Sequence, residues 1–401
     1  MTRTTRTTRP AHIAMVSIPA HGHVNPSLAV IAELVARGHR VSYVNDPSFA
    51  ATVEKAGAKA VPYTSVLPLA DDPGGWPDDP VAIQDLFLDD ALAMTPAVQG
   101  LFAEDRPDLL LYDIGGFAGR AVAEAHAVPA VQLSPTFVAW EGFEEEMAGM
   151  YEALRNGPGG PEHYRRFGGW LADTGAVVRD VEAFKGVPDR SVVLVPRALQ
   201  PRADRVDPQR YTFVGPCAGD RSHQGSWERP AGAERVLLVS LGSAFTRQPA
   251  FYRECVRAFA DLPGWHVVLQ IGRHTDPAEL GEVPAGVEVH PWVPQASVLA
   301  QADAFVTHAG MGGASEGLQA GLPMIAVPQA VDQFANADRL VELGVARRLD
   351  TEEATAAALR AALLELVGDP EVARRLDALR AEALAEGGTA RAADLIEAQL
   401  A

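Results

Sequence analysis

Two histidines flank a single glycine in PAHGHVNPS, residues 19–27, directly after the apolar run HIAMVSI and before the amphipathic LAVIAELVARG. A nucleotide-binding α/β protein would carry its glycine-rich phosphate loop at this crossover, and here the turn offers imidazole instead. Histidine titrates near working pH, so His21 can take a proton from an attacking hydroxyl. Asp113 ends the run DLLLYD (108–113) at the same sheet edge, where its carboxylate could hydrogen-bond the other ring nitrogen and stabilise an imidazolium. The plainer alternatives are that His21 fills the loop and that Asp113 caps the turn IGGF. His23 reads as a structural hydrogen-bonding residue. A metal on His21 and His23 is disfavoured, because no third ligand lies nearby and the chain has no Asp-x-Asp triplet.

A denser set lies between residues 290 and 338. The strand ADAFVTH delivers His308 to a sheet edge, and a helix starting near Gly312 should point its free N–H groups at the same place. Gly310, Gly312 and Gly313 permit close approach of backbone to ligand, and a diphosphate suits such a helix end. Glu316, in the first turn of that helix, could complement the helix dipole or accept hydrogen bonds from both hydroxyls of a ribose. Trp292 could be a core aromatic or a stacking platform for a base. Asp332 resembles a helix N-cap, and the Asp332–Gln333 pair also suits sugar hydroxyls.

Parallel sheets must position these residues. Apolar runs at 13–18, RVSYVN, DLLLYD, VPAVQLSP and SVVLVP alternate with helical segments, and the first helix is expected to start at Asn25 and Pro26 and to stop at Gly38. From 199 to 233 the chain becomes rich in Pro, Gly, Arg and Asp. A second alternation then runs through RVLLVSLGS, WHVVLQIG, VEVHPWV, ADAFVTH and PMIAVP. The expected division is a basic disordered tail (1–10), a first α/β domain (11–215), a linker (216–232) and a second α/β domain (233–380). A C-terminal helix (381–401) follows, a candidate to pack back on the first domain. The stretch ADDPGGWPDDP at 70–80 reads as a mobile acidic loop. Ligands of open parallel sheets bind beyond the strands' C-terminal ends, so the two domains should face each other across a cleft.

Bulk properties narrow the function classes. The 401-residue chain carries a formal charge of −18, which argues against a nucleic-acid surface, and 47% of its residues are apolar, as in a soluble globular protein. Cys217 and Cys255 form no disulfide or zinc pattern, which fits a reducing cytoplasm. No apolar run approaches the length of a membrane span, and the short run after the N-terminus is no signal-peptide core.

The 290–338 arrangement, W-x-P-Q…H-x-G…E…P…D-Q, resembles the signature of nucleotide-sugar-dependent glycosyltransferases with the two-domain α/β GT-B fold. The resemblance extends along the chain: HIAMVSIPAHGHVNPSLAVIAELVARGHRVSY, VLLVSLGSAFTRQPAFYRECVRAF and FVTHAGMGGASEGL look like macrolide glycosyltransferases of the oleandomycin type. It implies an inverting transfer of glucose from UDP-glucose to a hydroxyl of a macrolide or similar lipophilic acceptor, inactivating an antibiotic. No metal and no other cofactor are implied. By the same resemblance Trp292 stacks on uracil, and Gln295 and Glu316 hold the ribose. Ser243, His308, Gly310, Gly312 and Gly313 meet the diphosphate, Asp332 and Gln333 read the sugar, and His21 and Asp113 are base and orienting acid. Plant relatives carry Asn and Ser where this chain has Gly312 and Gly313, so donor preference does not transfer from them.

The acceptor side is less legible. Trp76, Ile114, Phe137, Trp140 and Phe143 are available to line an apolar pocket, and the acidic run 144–146 could attract an amine. A homodimer is a candidate assembly. Two other readings keep the fold: a sugar-nucleotide epimerase or hydrolase, and a non-catalytic sugar-nucleotide-binding auxiliary protein. A nicotinamide-dependent dehydrogenase is disfavoured, since no G-x-G-x-x-G follows either domain's first strand.

Overall fold

The structure, a computed structural model, describes residues 9–68, 75–217, 219 and 225–400. Most of the expected N-terminal tail, residues 70–74 of the acidic loop, and residues 218 and 220–224 of the expected linker lie outside the described residues.

The chain divides into two compact units. The first comprises residues 1–195, 202–219 and 387–401, and the second comprises 196–201 and 220–386. In the first, β1 (His12–Val16), α1 (His21–Ala36), β2 (Arg40–Asn45), α2 (Ala50–Lys55) and β3 (Lys59–Pro62) lead into the long α3 (Pro80–Glu104). Then follow β4 (Leu109–Tyr112), α4 (Phe117–Ala125), β5 (Ala130–Ser134), α5 (Phe143–Asn156), α6 (Gly160–Thr174), α7 (Val181–Gly186), β6 (Ser191–Val193) and β7 (Tyr211–Phe213). All seven strands are parallel, in the order β3-β2-β1-β4-β5-β6-β7. Strand alternation splits the buried residues into two layers: Ile13 and Met15 pack on one face of the sheet, Ala14 and Val16 on the other.

The second unit holds β8 (Arg235–Ser240), α8 (Pro249–Phe259), β9 (Trp265–Gln270), β10 (Val287–His290), α9 (Gln295–Leu299), β11 (Ala304–Thr307) and α10 (Met311–Ala320). It continues through β12 (Met324–Ala326), α11 (Gln333–Glu342), β13 (Ala346–Arg348), α12 (Ala356–Gly368) and α13 (Pro370–Ala385). Its sheet runs β10-β9-β8-β11-β12-β13, again all parallel. The chain then returns to the first unit, where α14 (Gly388–Glu397) packs on α1. No helix among the described residues is long and apolar enough to cross a membrane.

In each sheet the strand order reverses once, between β1 and β4 and between β8 and β11. The crevice beyond such a reversal is where open α/β sheets hold ligands. His21, His23 and Asp113 follow β1 and β4, while Ser243 and His308 follow β8 and β11. Thus each set of chemistry-bearing residues stands at its sheet's switch point.

The start of α1 differs from the expectation. Ala20 is extended (φ −122°, ψ 136°), and its carbonyl accepts 2.9 Å bonds from the N–H groups of both His23 and Val24. The helix therefore begins at His21, and Asn25 and Pro26 lie inside it. Both histidines ride on a helix rather than on a loop.

Candidate active site: residue sets at two sheet switch points

Two residues apart on a helix means about 200° of rotation, so His21 and His23 leave α1 on different sides. His23 is in register with Ser27, Val30 and Leu34, the buried stripe of α1. Its Nδ1 is hydrogen-bonded to Oδ2 of Asp113. The Asp113 side chain is 1% exposed and that of His23 is 24% exposed, so a buried carboxylate orients an imidazole that reaches solvent. Asp113 is itself fixed on both sides. Its N–H donates to the Val16 carbonyl (3.1 Å), and its Oδ1 accepts from the Gly115 N–H (3.2 Å). The Asp113 carboxylate thus caps the turn IGGF through one oxygen and bonds a histidine through the other.

The expectation that Asp113 orients His21 is corrected: the imidazole seated on Asp113 belongs to His23. His21 is exposed, and its ring meets Phe49 edge-on at 5.1 Å between centroids. The helical start explains the error, because an extended loop would not separate the two rings in this way. With Nδ1 donating to the carboxylate, the lone pair of His23 Nε2 is left to accept a proton.

Of the apolar residues named for an acceptor, Ile114 directly follows Asp113 and is half-buried, as is Phe137. Trp140 and Phe143 form an edge-to-face pair, 4.8 Å between centroids at 80°. Trp76 is 41% exposed and lies against Phe87 of α3. None of the five is fully buried. Glu146 of the acidic run is committed to Arg202 at 2.7 Å, with Arg205 at 3.8 Å, which lessens its draw on an amine.

In the second unit, part of His308 stays open to solvent but its Nδ1 is buried, and burial pushes its pKa down to about 4. The imidazole is neutral at working pH. A Cβ at Gly310 would lie 2.4 Å from His308 Nε2, and one at Gly242 would lie 2.6 Å from the ring. These two glycines make room for the histidine itself. Gly312, by contrast, faces open space.

Ala309, between His308 and Gly310, takes φ +59°, a conformation that non-glycine residues seldom adopt. The following helix, α10, starts at Met311 on Gly310 as N-cap and has no side-chain cap. Its first N–H groups are thus left for another acceptor, which makes this end suitable for an anion. Glu316 falls in the second turn, not the first, so dipole complementation does not explain it. Instead its Oε2 accepts from Gln295 Nε2 (2.7 Å), which joins α9 to α10.

Trp292 is 48% exposed just after β10, so the core-aromatic alternative is excluded. Ser243 is exposed beyond β8. Asp332 stands at the N-cap position of α11, yet its side chain makes no capping bond and accepts from Asn336 Nδ2 at 2.9 Å. Gln333 is buried, and its Oε1 accepts from the N–H groups of Gln329 (2.8 Å) and Ala330 (3.2 Å). Its carbonyl oxygen is thus spent on shaping the loop. Val331, between Ala330 and Asp332, is 74% exposed at φ +47°, a strained state for a β-branched residue.

Gln270, at the end of β9, was not singled out from the sequence. Its Nε2 donates to the Gly242 carbonyl (2.8 Å) and its Oε1 accepts from Val293 N–H (3.1 Å), so one buried amide ties the Ser243 turn to the Trp292 segment. Among the described residues no group of three or more His, Cys, Asp or Glu is placed to hold a metal ion.

Comparison with known proteins agrees with this architecture. Residues 218–382 match the family model described as UDP-glucoronosyl and UDP-glucosyl transferase. The chain is 60% identical to the oleandomycin glycosyltransferase of Streptomyces antibioticus, over 99% of this chain and 92% of that protein. It is 33% identical to the demethyllactenocin mycarosyltransferase of Streptomyces fradiae, over 98% and 87% of the two chains. Among solved structures, the kitacinnamycin glycosyltransferase superposes with a TM-score of 0.92 at 56% identity, covering 98% of this chain and 100% of that one. The calicheamicin glycosyltransferase gives 0.84 at 35%, covering 98% and 99%. The chain is a glycosyltransferase of the GT-B fold and belongs to the UDP-glycosyltransferase family.

Proposed function

We propose that the protein transfers glucose from UDP-glucose to a hydroxyl group of a macrolide antibiotic, with inversion at the anomeric carbon, and so inactivates the drug. The observation that carries the catalytic part is the hydrogen bond between His23 and the buried Asp113. In this reading His23 Nε2 takes the proton of the acceptor hydroxyl while its oxygen bonds to the anomeric carbon. The bond from that carbon to the UDP oxygen breaks in the same displacement. Asp113 holds the tautomer and stabilises the imidazolium as it forms.

The donor assignment draws on the residues of the second unit. The uncapped start of α10 and the neutral His308 suit the diphosphate, exposed Trp292 suits the base, and the Gln295–Glu316 pair suits the ribose. Asp332 reads the sugar, with Gln333 shaping its loop. Fixed N–H dipoles take over the charge stabilisation that a metal ion provides in other transferases, so the reaction is expected to persist in EDTA. The macrolide acceptor is drawn from the 60% identity to the oleandomycin enzyme.

One assay tests the whole reading. The protein is incubated with UDP-glucose and other sugar nucleotides against a panel of macrolides and flavonoids, and products are followed by mass spectrometry and their anomeric centre by proton NMR. A hexose added to a macrolide, with a β-anomeric proton coupling from the α-linked donor, is the expected result. Consumption of UDP-glucose without any acceptor would instead support an epimerase or hydrolase.

A further inference from the structure

Beneath α5 lies a cavity of about 180 Å³ built from the helices of the first unit. It shares no residue with the set assigned above to base, donor or acceptor. One side is apolar, with Val81, Met150 and Leu154, and the other carries Lys185 and His163. Lys185 is bonded to a neutral amide, and His163 has an unpartnered ring nitrogen.

Lys185 is desolvated, and burial pushes its pKa down to about 8. Its ammonium rests on the neutral amide oxygen of Gln84 and lies 5.7 Å from the Phe167 ring centroid. The carboxylate of Glu182, which lines the same cavity, is already shared by the Tyr164 hydroxyl and Arg155, each at 2.7 Å.

His163 is 3% exposed. Its Nδ1 bonds Asp85 at 2.9 Å, and its Nε2 is buried with no hydrogen-bond partner. An orphaned buried nitrogen and an ammonium hydrogen-bonded to a neutral amide line one cavity, which marks a place that suits an added ligand group.

We propose that this cavity binds a small monocarboxylate, whose oxygens accept hydrogen bonds from the Lys185 ammonium and from His163 Nε2 and whose short apolar chain packs on Val81, Met150 and Leu154. A ligand carboxylate gives Lys185 a directly bonded counter-charge in addition to the nearby Glu182, in the charge-assisted form that is the stronger kind of hydrogen bond. With Nδ1 directed at Asp85, which also bonds Arg166 at 3.0 Å, Nε2 donates to the ligand from a ring that carries both of its N–H groups. The space is ample for a carboxylate with a short apolar chain.

Binding would also join α5 to its neighbours. None of the fourteen residues of α5 is buried, yet Met150, Tyr151 and Leu154 all line this cavity.

The test is calorimetric titration of the full-length protein at pH 7 with sodium acetate, butyrate and hexanoate, against sodium chloride as control. Saturable 1:1 binding of butyrate, tighter than acetate, is expected. It should weaken at least about tenfold in K185M and stay within a few-fold in K185R. In the wild type it should fade as pH rises from 7 to 9 and the ammonium is lost, a readout that does not depend on any variant folding. Heats equal to those of sodium chloride would mean that water alone fills the cavity and would overturn the proposal. Binding that is indifferent both to K185M and to pH would overturn it equally.

Discussion

His23 and Asp113 are ninety residues apart in sequence and joined by one hydrogen bond, from the first turn of α1 to the end of β4. The partner imidazole, His21, is on another side of the same helix against Phe49. This arrangement separates the two histidines experimentally. H23A should lower kcat by at least about 10²-fold, since general-base catalysis contributes that much or more, while UDP affinity by calorimetry stays unchanged. H21A should keep most of the transfer activity. D113N should fall between them, because the imidazole keeps its place but loses its counter-charge. If H21A were inactive and H23A active, the assignment made from the structure would be wrong.

The glycines around His308 should not be interchangeable. A methyl group at Gly310 would meet His308 Nε2 at 2.4 Å and push the ring away, whereas one at Gly312 points into open space. G310A is therefore expected to lose UDP affinity, by about tenfold if one good hydrogen bond is lost. G312A should fold normally and gain up to about 1 kcal/mol, the difference between Ala and Gly inside a helix. Calorimetry with UDP and thermal melts of both variants check this pair.

How much of this was legible in the sequence depended on the range of the interaction. Apolar runs such as VLLVS and DLLLY announce buried parallel strands, so the alternation of strand and helix and the residues just past each strand could be read directly. The first helix was misplaced because Asn25 and Pro26 look like a start signal. The stronger signal was periodic: His23, Ser27, Val30 and Leu34 fall at i, i+4, i+7 and i+11, the stripe that must face the sheet. Gln333 and Gln270 act by bonding backbone groups that only the folded chain brings to them, and no local pattern reports that. The closeness of Gly242 to His308 is likewise a product of the β8–β11 pairing.

A third expectation concerns how the chain's end is held. Arg37 at the end of α1 bonds Glu33 (2.9 Å), Asp394 (2.6 Å), Glu397 (2.7 Å) and the Ala390 carbonyl (3.0 Å), and His39 adds a 3.0 Å contact to Glu397. One guanidinium thus gathers α14 onto α1. R37A should cost about 2 kcal/mol in urea unfolding, because Glu397 is left half-enclosed beside other carboxylates. The same variant should become sensitive to limited proteolysis near residues 387–388, with the rest of the chain spared. Unchanged proteolysis would mean that the apolar contacts of Ala392, Ala393 and Ile396 hold α14 without the ion pairs.

His308 also predicts the direction in which acid acts. Burial lowers its pKa from 6.5 to about 4, so the folded protein resists the proton that the unfolded chain accepts. Well above pH 6.5 neither state is protonated at this residue, and it contributes no pH dependence. As pH falls from 6.5 to about 4 the unfolded chain gains the proton first, and stability drops by on the order of 3 kcal/mol from this residue alone. Below about 4 both states are charged and the loss levels off. H308N removes the ionisation while keeping a polar side chain of related shape. Urea midpoints of wild type and H308N, measured between pH 7 and 4, should therefore converge as the solution is acidified, the wild type losing more. Parallel curves would show that the His308 ring is solvated in the folded protein, and the neutral-imidazole view of the proposed diphosphate site would fall with it.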